Sequence, residues 1–324
     1  MQAVKSDREP TARQRQILEA VEKKGSRNAA ADALNISRGT IDKTLHLLGN
    51  RGIRVNPNQP KLPLEPVSLK IKKETITICA IGDYHDCPGQ DKSRIKWIAR
   101  YVSDTNPDLV VQIGDFADWN SLSTHEKPGT IGYADKPAFV DDLDSAEEAL
   151  SQFRKIQEGG PPCHITYGNH EDRLERWDNS QPESKGLSFA DRRGVLFKNY
   201  GWETYAYGQW LFIGGVGFTH VPHNLMGREY GGRTVNSIAN DAVFSIVFGH
   251  SHRRAEISAP KIGPAKSVEI LNLGTAMPQG LVKYYAGKSM TGWAYGVWSL
   301  IIRDGHIVGH SYISMTDLEE QYGD

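Results

Sequence analysis

The run Ile76-Thr77-Ile78-Cys79-Ala80-Ile81-Gly82-Asp83-Tyr84-His85 joins a short apolar strand to a glycine and then to two polar side chains. Related arrangements return four times. An apolar strand over 109–113 leads into Gly114-Asp115-Phe116-Ala117-Asp118, and a strand over 164–167 leads into Gly168-Asn169-His170-Glu171-Asp172. Gly217-Phe218-Thr219-His220 follows a further strand, and 245–248 runs into Gly249-His250-Ser251-His252. Helical patterns fill 94–102 and 143–156 between the early strands. Other strands are expected over 210–213 and 268–273, and Asp304-Gly305 marks a hairpin joining 293–303 to 306–314. Alternating strands and helices with apolar strands imply an α/β layered fold. The late strands, with no helices between them, predict a second sheet packed on the first. Ligand sites in α/β sheets collect at the carboxyl ends of strands, so the five clusters are expected on one rim.

The residue types point to metal ions. Asp83 and His85 stand two apart, as do His250 and His252, and on extended backbone that spacing puts both side chains on one side. Mixed carboxylate, amide and imidazole donors suit Mn, Fe, Zn or Ni, with Mg a further candidate. Two ions sharing one carboxylate would lie roughly 3.5–4 Å apart. The glycine before each cluster lets the chain turn tightly toward a ligand. No Gly-rich phosphate loop is present, which argues against nucleotide hydrolysis of that kind.

Together these segments resemble the calcineurin-like metallophosphoesterases. The motifs of that family, D-x-H, G-D-x-x-D, G-N-H-[DE], a lone histidine and G-H-x-H, occur here in that order. The resemblance implies a two-sheet β-sandwich flanked by helices and a dinuclear centre, with Mn2+ the first choice of ion. It implies that Asp83, His85 and His252 bind one ion, that Asn169, His220 and His250 bind the other, and that Asp115 bridges them. It makes His170 an outer-sphere acid, Asp118 the group that orients His170 through a hydrogen bond, and Arg173 a phosphate-binding arginine. Protein phosphatases of the family carry arginine directly after the second aspartate of G-D-x-x-D, where this chain has Trp119, so a phosphoprotein substrate is disfavoured. Hydrolysis by a metal-activated hydroxide in line with the leaving group, without a covalent intermediate, is the implied chemistry. His125, His164, His223, His306 and His310 carry no motif and read as structural or exposed, although His223 and Asn224 are candidates for the substrate cleft. Cys87 reads as an inert thiol. Trp119, Trp177 and Tyr133 are candidates for a cleft wall, with core packing the default for aromatics.

The N-terminal part reads differently. Helical patterns over 12–24, 28–34 and 38–48 flank a turn at Asn35-Ile36-Ser37 and resemble the helix-turn-helix DNA-binding family. The resemblance implies DNA contacts by Arg38, Thr40 and Lys43 on the recognition helix and by Arg27 at a backbone phosphate. A single copy suggests weak targeting or a homodimer. The expected domains are a helix-turn-helix domain over 1–55, a proline-rich linker over 56–73 and the phosphoesterase domain over 74–324. Residues 1–73 hold 15 Lys and Arg against 7 Asp and Glu, a net of +8, whereas residues 74–324 hold 23 against 32, a net of −9. A basic head suits nucleic acid and an acidic body suits cations. No long apolar run is present, so no membrane span is expected. With no apolar leader and three scattered cysteines, the simplest compartment is a reducing cytoplasm. The leading function is a metal-dependent phosphodiesterase acting on DNA, a nuclease or end processor. The alternatives are a small-molecule, nucleotide or phosphoprotein phosphatase with a regulatory head, and a DNA-binding regulator with a structural metal domain. A helix-turn-helix joined to a phosphoesterase also resembles proteins of tailed bacteriophages.

Overall fold

The computed structural model describes residues 10–24, 27–49, 64–126, 128–180, 188–224, 227–230, 235–263, 267–283 and 292–323. The chain divides into two compact units, Met1–Leu62 and Pro63–Asp324.

The first unit contains α1 (Ala12–Lys24), α2 (Arg27–Leu34) and α3 (Arg38–Gly49). Ile17 and Val21, one turn apart on α1, meet Ala30 and Ala31 of α2 and Ile41 of α3 in a small apolar core. Asn35 takes a left-handed conformation with φ 50° between α2 and α3. The Ser37 hydroxyl accepts the Thr40 backbone N–H at 3.2 Å, capping α3.

The second unit opens with β1 (Val67–Leu69), β2 (Thr75–Ile81), α4 (Ser93–Thr105), β3 (Leu109–Gln112), α5 (Ile131–Ala134) and α6 (Phe139–Ile156). It continues through β4 (Cys163–Thr166), α7 (Asp172–Ser180), α8 (Phe189–Asn199), β5 (Trp202–Tyr205), β6 (Leu211–Ile213), β7 (Val216–Phe218) and α9 (Val235–Asp241). It closes with β8 (Ile246–Phe248), β9 (Arg254–Pro260), β10 (Ser267–Leu273), β11 (Gly296–Arg303), β12 (His306–Ser314) and α10 (Met315–Tyr322). The strands form two six-stranded mixed sheets, ordered β1-β6-β7-β8-β10-β9 and β12-β11-β2-β3-β4-β5.

Strand alternation explains the layers. Ile76, Ile78 and Ala80 of β2 pack with Leu211, Phe218, Val247 and Leu271 in the core between the sheets. Cys79 and Ile81 of the same strand pack with Ile98 of α4, Leu150 of α6 and Phe197 of α8 in a second core. A third core places α9 against the far face of the other sheet through Ile238, Ile246 and Ile270. Strands buried on both faces read as largely apolar runs, which is why β2 and β3 stand out in the sequence.

The linker expected over 56–73 is corrected by the structure. Val67–Leu69 pairs in parallel with Leu211–Ile213, and the Val67 N–H donates to the Trp210 carbonyl at 2.9 Å. These three residues follow the last proline, Pro66, so each keeps the N–H that a sheet ladder requires. Residues 50–63, which hold most of the proline-rich stretch, lie outside the described residues.

Candidate metal centre

Five strand ends deliver the polar side chains. Asp83 and His85 follow β2, Asp115 and Asp118 follow β3, and Asn169 and His170 follow β4. His220 lies just past β7, and His250 and His252 just past β8. The turns are sharp. His85, Asp115, Trp119, His250 and His252 all have positive φ, between 48° and 69°. Non-glycine residues persist there only where surrounding contacts over-determine the backbone, and such strain concentrates at functional sites. Here the contacts are inter-turn hydrogen bonds. Tyr84 and His85 N–H groups donate to the Asp115 carbonyl at 3.0 and 2.9 Å, and the His250 N–H donates to the Asp83 carboxylate at 3.0 Å.

The side chains converge in two groups. Donor atoms of Asp83, His85 and His252 lie within 4.8 Å of one another, and so do those of Asp115, His220 and His250. His252 Nε2 is 2.9 Å from His85 Nε2 and 3.1 Å from Asp83 Oδ2. Asn169 Oδ1 joins the second group, 3.1 Å from His220 Nε2 and 3.0 Å from His250 Nδ1. Asp115 stands between the groups. Its Oδ2 is 3.4 Å from His220 Nε2 and 3.9 Å from His85 Nε2. Its Oδ1 accepts the His170 backbone N–H at 2.9 Å.

The donor chemistry fits cations. His85 Nδ1 faces the Asp118 carboxylate at 2.7 Å, and His220 Nδ1 faces the Ile113 carbonyl at 3.0 Å. A neutral ring that donates from Nδ1 presents a lone pair at Nε2, and both Nε2 atoms point into the groups, where they can bind an ion once unprotonated. Bonds of about 2.0–2.2 Å to a shared ion place neighbouring ligand atoms about 3 Å apart, as seen here. The seven residues Asp83, His85, Asp115, Asn169, His220, His250 and His252 can therefore hold two divalent ions, with Asp115 facing both groups.

Charge reinforces the fit. Burial alone would raise the Asp115 carboxyl, but the imidazoles of His170, His220 and His85 hold it well below the usual carboxylate range. Asp118 is likewise held low, against burial, by hydrogen bonding to His170 and His85. Burial pushes the His85 imidazole down to about 4 despite Asp118. Burial also acts downward on His220, but Asp115 and Asp83 outweigh it and push that imidazole up to about 10.

Around the two groups lie the residues expected to act on substrate. His170 Nε2 is 3.9 Å from Asp115 Oδ2, and Arg173 Nη2 is 3.2 Å from the same nitrogen. Asp118 is the partner of His170 Nδ1, mainly through its main chain. His170 Nδ1 is 3.1 Å from the Asp118 backbone carbonyl and 3.4 Å from its carboxylate, whose closer histidine is His85. The turn after β3 brings the Asp118 carbonyl closer to His170 Nδ1 than the carboxylate, which stands against both the His170 and His85 rings. Arg173 donates to the same carbonyl at 2.7 Å.

The cleft-wall aromatics separate. Trp119 is fully buried, stacked on Phe139, with its Nε1–H toward Glu171. It belongs to the core. Tyr133 and Trp177 are exposed, and His223 sits half-buried with its ring edge on Tyr207, which also faces His220. His164 bonds Tyr205, while His306 and His310 pair with Glu269 and Glu256. Burial raises the Cys87 thiol, in keeping with an inert role. In the N-terminal unit, Arg27 and Arg38 both pair with Asp42, at 3.0 and 3.5 Å, while Thr40 and Lys43 are exposed.

Two residues near the centre carried no expectation. Lys283 places its ammonium on Asp118 Oδ2 from a segment with no motif around it. Glu171 sits inside a motif, directly after His170, and its adjacency was the signal available.

Comparison with known proteins places this arrangement. The gene 54 protein of Mycobacterium phage D29 is 25% identical over 243 residues, covering 68% of this chain and 87% of the relative. The gene 54 protein of Mycobacterium phage L5 is 25% identical over 236 residues, with the same coverage. A dimetal phosphatase from Danio rerio aligns with a TM-score of 0.34 at 10% identity, covering 74% of this chain and 99% of its own. The calcineurin-like phosphoesterase family matches residues 76–254, a span that takes in all seven candidate ligands. With more than half of its length in that match, the chain belongs to the calcineurin-like phosphoesterase family.

Proposed function

We propose that this metal-dependent phosphoesterase is a phosphodiesterase that acts on DNA, with Mn2+ as its working ion and the N-terminal unit as its DNA anchor. The observation that carries the phosphoesterase chemistry is the convergence of seven donors in two groups around Asp115. Two divalent cations, when bound, supply an activated water near neutral pH and positive charge against the phosphoryl oxygens as negative charge builds there. The chain's own residues do the rest. His170, held at Nδ1 by the Asp118 carbonyl, directs Nε2 toward the centre, and in its doubly protonated form it would hand the Nε2 proton to the leaving oxygen and keep the one at Nδ1. Arg173 lies beside that nitrogen, where its guanidinium can take a phosphoryl oxygen. Asp118 keeps the His85 ring turned so that Nε2 faces its ion.

The DNA assignment rests on the basic N-terminal residues, the three-helix unit, and the exposed Arg38, Thr40 and Lys43 on α3. Arg27 is spent partly on Asp42, so it contributes less phosphate attraction than a free arginine. One observation favours a second reading, a small nucleotide or diester substrate: the net charge of −9 over 74–324 repels a long polyanion.

The test uses the full chain in Mn2+ with linear double-stranded DNA and a chromogenic phosphodiester. Wild type should cleave both. The double variant R38A/K43A should keep the small-diester rate while DNA cleavage at 150 mM salt falls at least tenfold, with a shallower salt dependence. Wild-type hydrolysis of the small diester with intact DNA would favour the second reading.

A further inference from the structure

Glu171 is fully buried one residue after His170, and its carboxylate takes N–H donors from both central turns. Oε2 accepts from Asp115 at 2.8 Å and from Gly168 at 2.9 Å. Oε1 accepts from Phe116 at 2.9 Å, from Ala117 at 3.3 Å and from the Trp119 indole at 3.4 Å. Asp115 answers from the other side, where its Oδ1 accepts the His170 N–H. Beneath, Arg193 donates to the Glu171 carbonyl at 2.6 Å and forks onto Glu175 at 2.9 and 2.7 Å.

Packing alone does not call for such a group. A carboxylate buried beside the Asp115 carboxylate is repelled by it and is stripped of water. It is tolerated because five donors saturate its acceptor sites. Those donors come from the turn that carries the shared ligand and from the turn that carries Asn169 and His170. The first turn holds Asp115 at φ 50°, a conformation non-glycine side chains avoid. One side chain thus spans both turns, and the tie is returned.

We propose that Glu171 is a positioning residue that locks the Asp115 turn against the Asn169–His170 turn and so sets the separation of the two ion-binding groups. The inference rests on the reading of Asp115 as the shared ligand.

Three full-length variants test it: E171Q, E171D and, as a control, E175Q. E175Q removes the Arg193 pair beneath the turn but leaves every donor of the Glu171 carboxylate. The measurements are thermal unfolding of the metal-free chain, Mn2+ binding by calorimetry, and the electron paramagnetic resonance signal of spin-coupled Mn2+ ions. E171Q keeps the shape but turns an amide N–H₂ toward N–H donors. It should remain folded, bind the weaker of the two Mn2+ ions about 10–100-fold less tightly, and lose the coupled signal. E175Q should lower the unfolding temperature yet bind both ions as wild type does. E171D, one methylene short, should fall between wild type and E171Q. Wild-type Mn2+ binding and coupling in E171Q overturn the proposal, as does equal weakening in E171Q and E175Q. If E171Q does not fold, E171D decides: a folded E171D with wild-type coupling overturns it, and failure of both to fold assigns Glu171 to folding instead. A wild-type chain that takes up fewer than two Mn2+ ions would overturn the shared-ligand reading itself.

Discussion

A neutral imidazole offers one lone pair, and the partner of one ring nitrogen decides what the other can bind. His85 depends on Asp118 in this way, since its Nδ1 lies 2.7 Å from that carboxylate. Asp118→Asn keeps the shape but removes the charge, so Mn2+ affinity or kcat should fall about 10–100-fold, read by titration and by initial rates. An unchanged affinity and rate would mean that His85 is oriented by something else. His220 makes a different prediction. In the metal-free chain Asp115 and Asp83 raise its imidazole to about 10, so at neutral pH it carries a proton that an incoming ion must displace. Mn2+ uptake at pH 7 should release about one proton from this site, and affinity should rise with pH until that proton is gone. Calorimetry in two buffers of different ionisation enthalpy measures the release, and equal heats in both would contradict it. The same raised value means that His220 stabilises the metal-free fold fully below about 6.5, its ordinary value, and that this contribution is lost as pH rises toward about 10.

At the scale of elements, the centre is a set of tight turns that leave no room beside them. A Cβ on Gly249 would lie 2.2 Å from Asp83 Oδ1, and one on Gly114, at φ 104°, would lie 2.6 Å from both the Gly168 nitrogen and the Thr166 carbonyl oxygen. Gly249→Ala should therefore displace Asp83 and weaken Mn2+ binding by at least tenfold while the chain stays folded, as circular dichroism would check. Wild-type affinity in that variant would show that Asp83 is not held as described. These turns were legible in the sequence because a buried parallel strand is a run of apolar residues, and a glycine followed by metal-binding side chains breaks it. Other elements left weaker marks. β5 and β9 are edge strands, and β9 alternates exposed with half-buried residues and has none fully buried, so no apolar run announces it. β1 is three residues long and follows a proline-rich stretch that masks it. Lys283 reaches Asp118 from 165 positions away, a contact that only the folded chain makes. Trp119 was legible as a departure from the protein-phosphatase pattern, but its burial against Phe139 needed the structure.

At the scale of the whole molecule, two compact units carry opposite charge, and the acidic one holds the centre. Fixed negative charge draws divalent cations toward a site of ionised carboxylates and lone-pair nitrogens, and the ions in turn make the site attractive to phosphate. No helix among the described residues is long and apolar enough to cross a membrane. Catalysis in this proposal depends above all on two ions sharing Asp115. The most direct measurement is a titration of the metal-free full-length chain with Mn2+, following hydrolysis of a chromogenic phosphodiester alongside bound Mn2+. Activity should develop as the second ion per chain binds, and Asp115→Asn should abolish both the second ion and the activity. Full activity with one ion bound, or undiminished activity in Asp115→Asn, would contradict it.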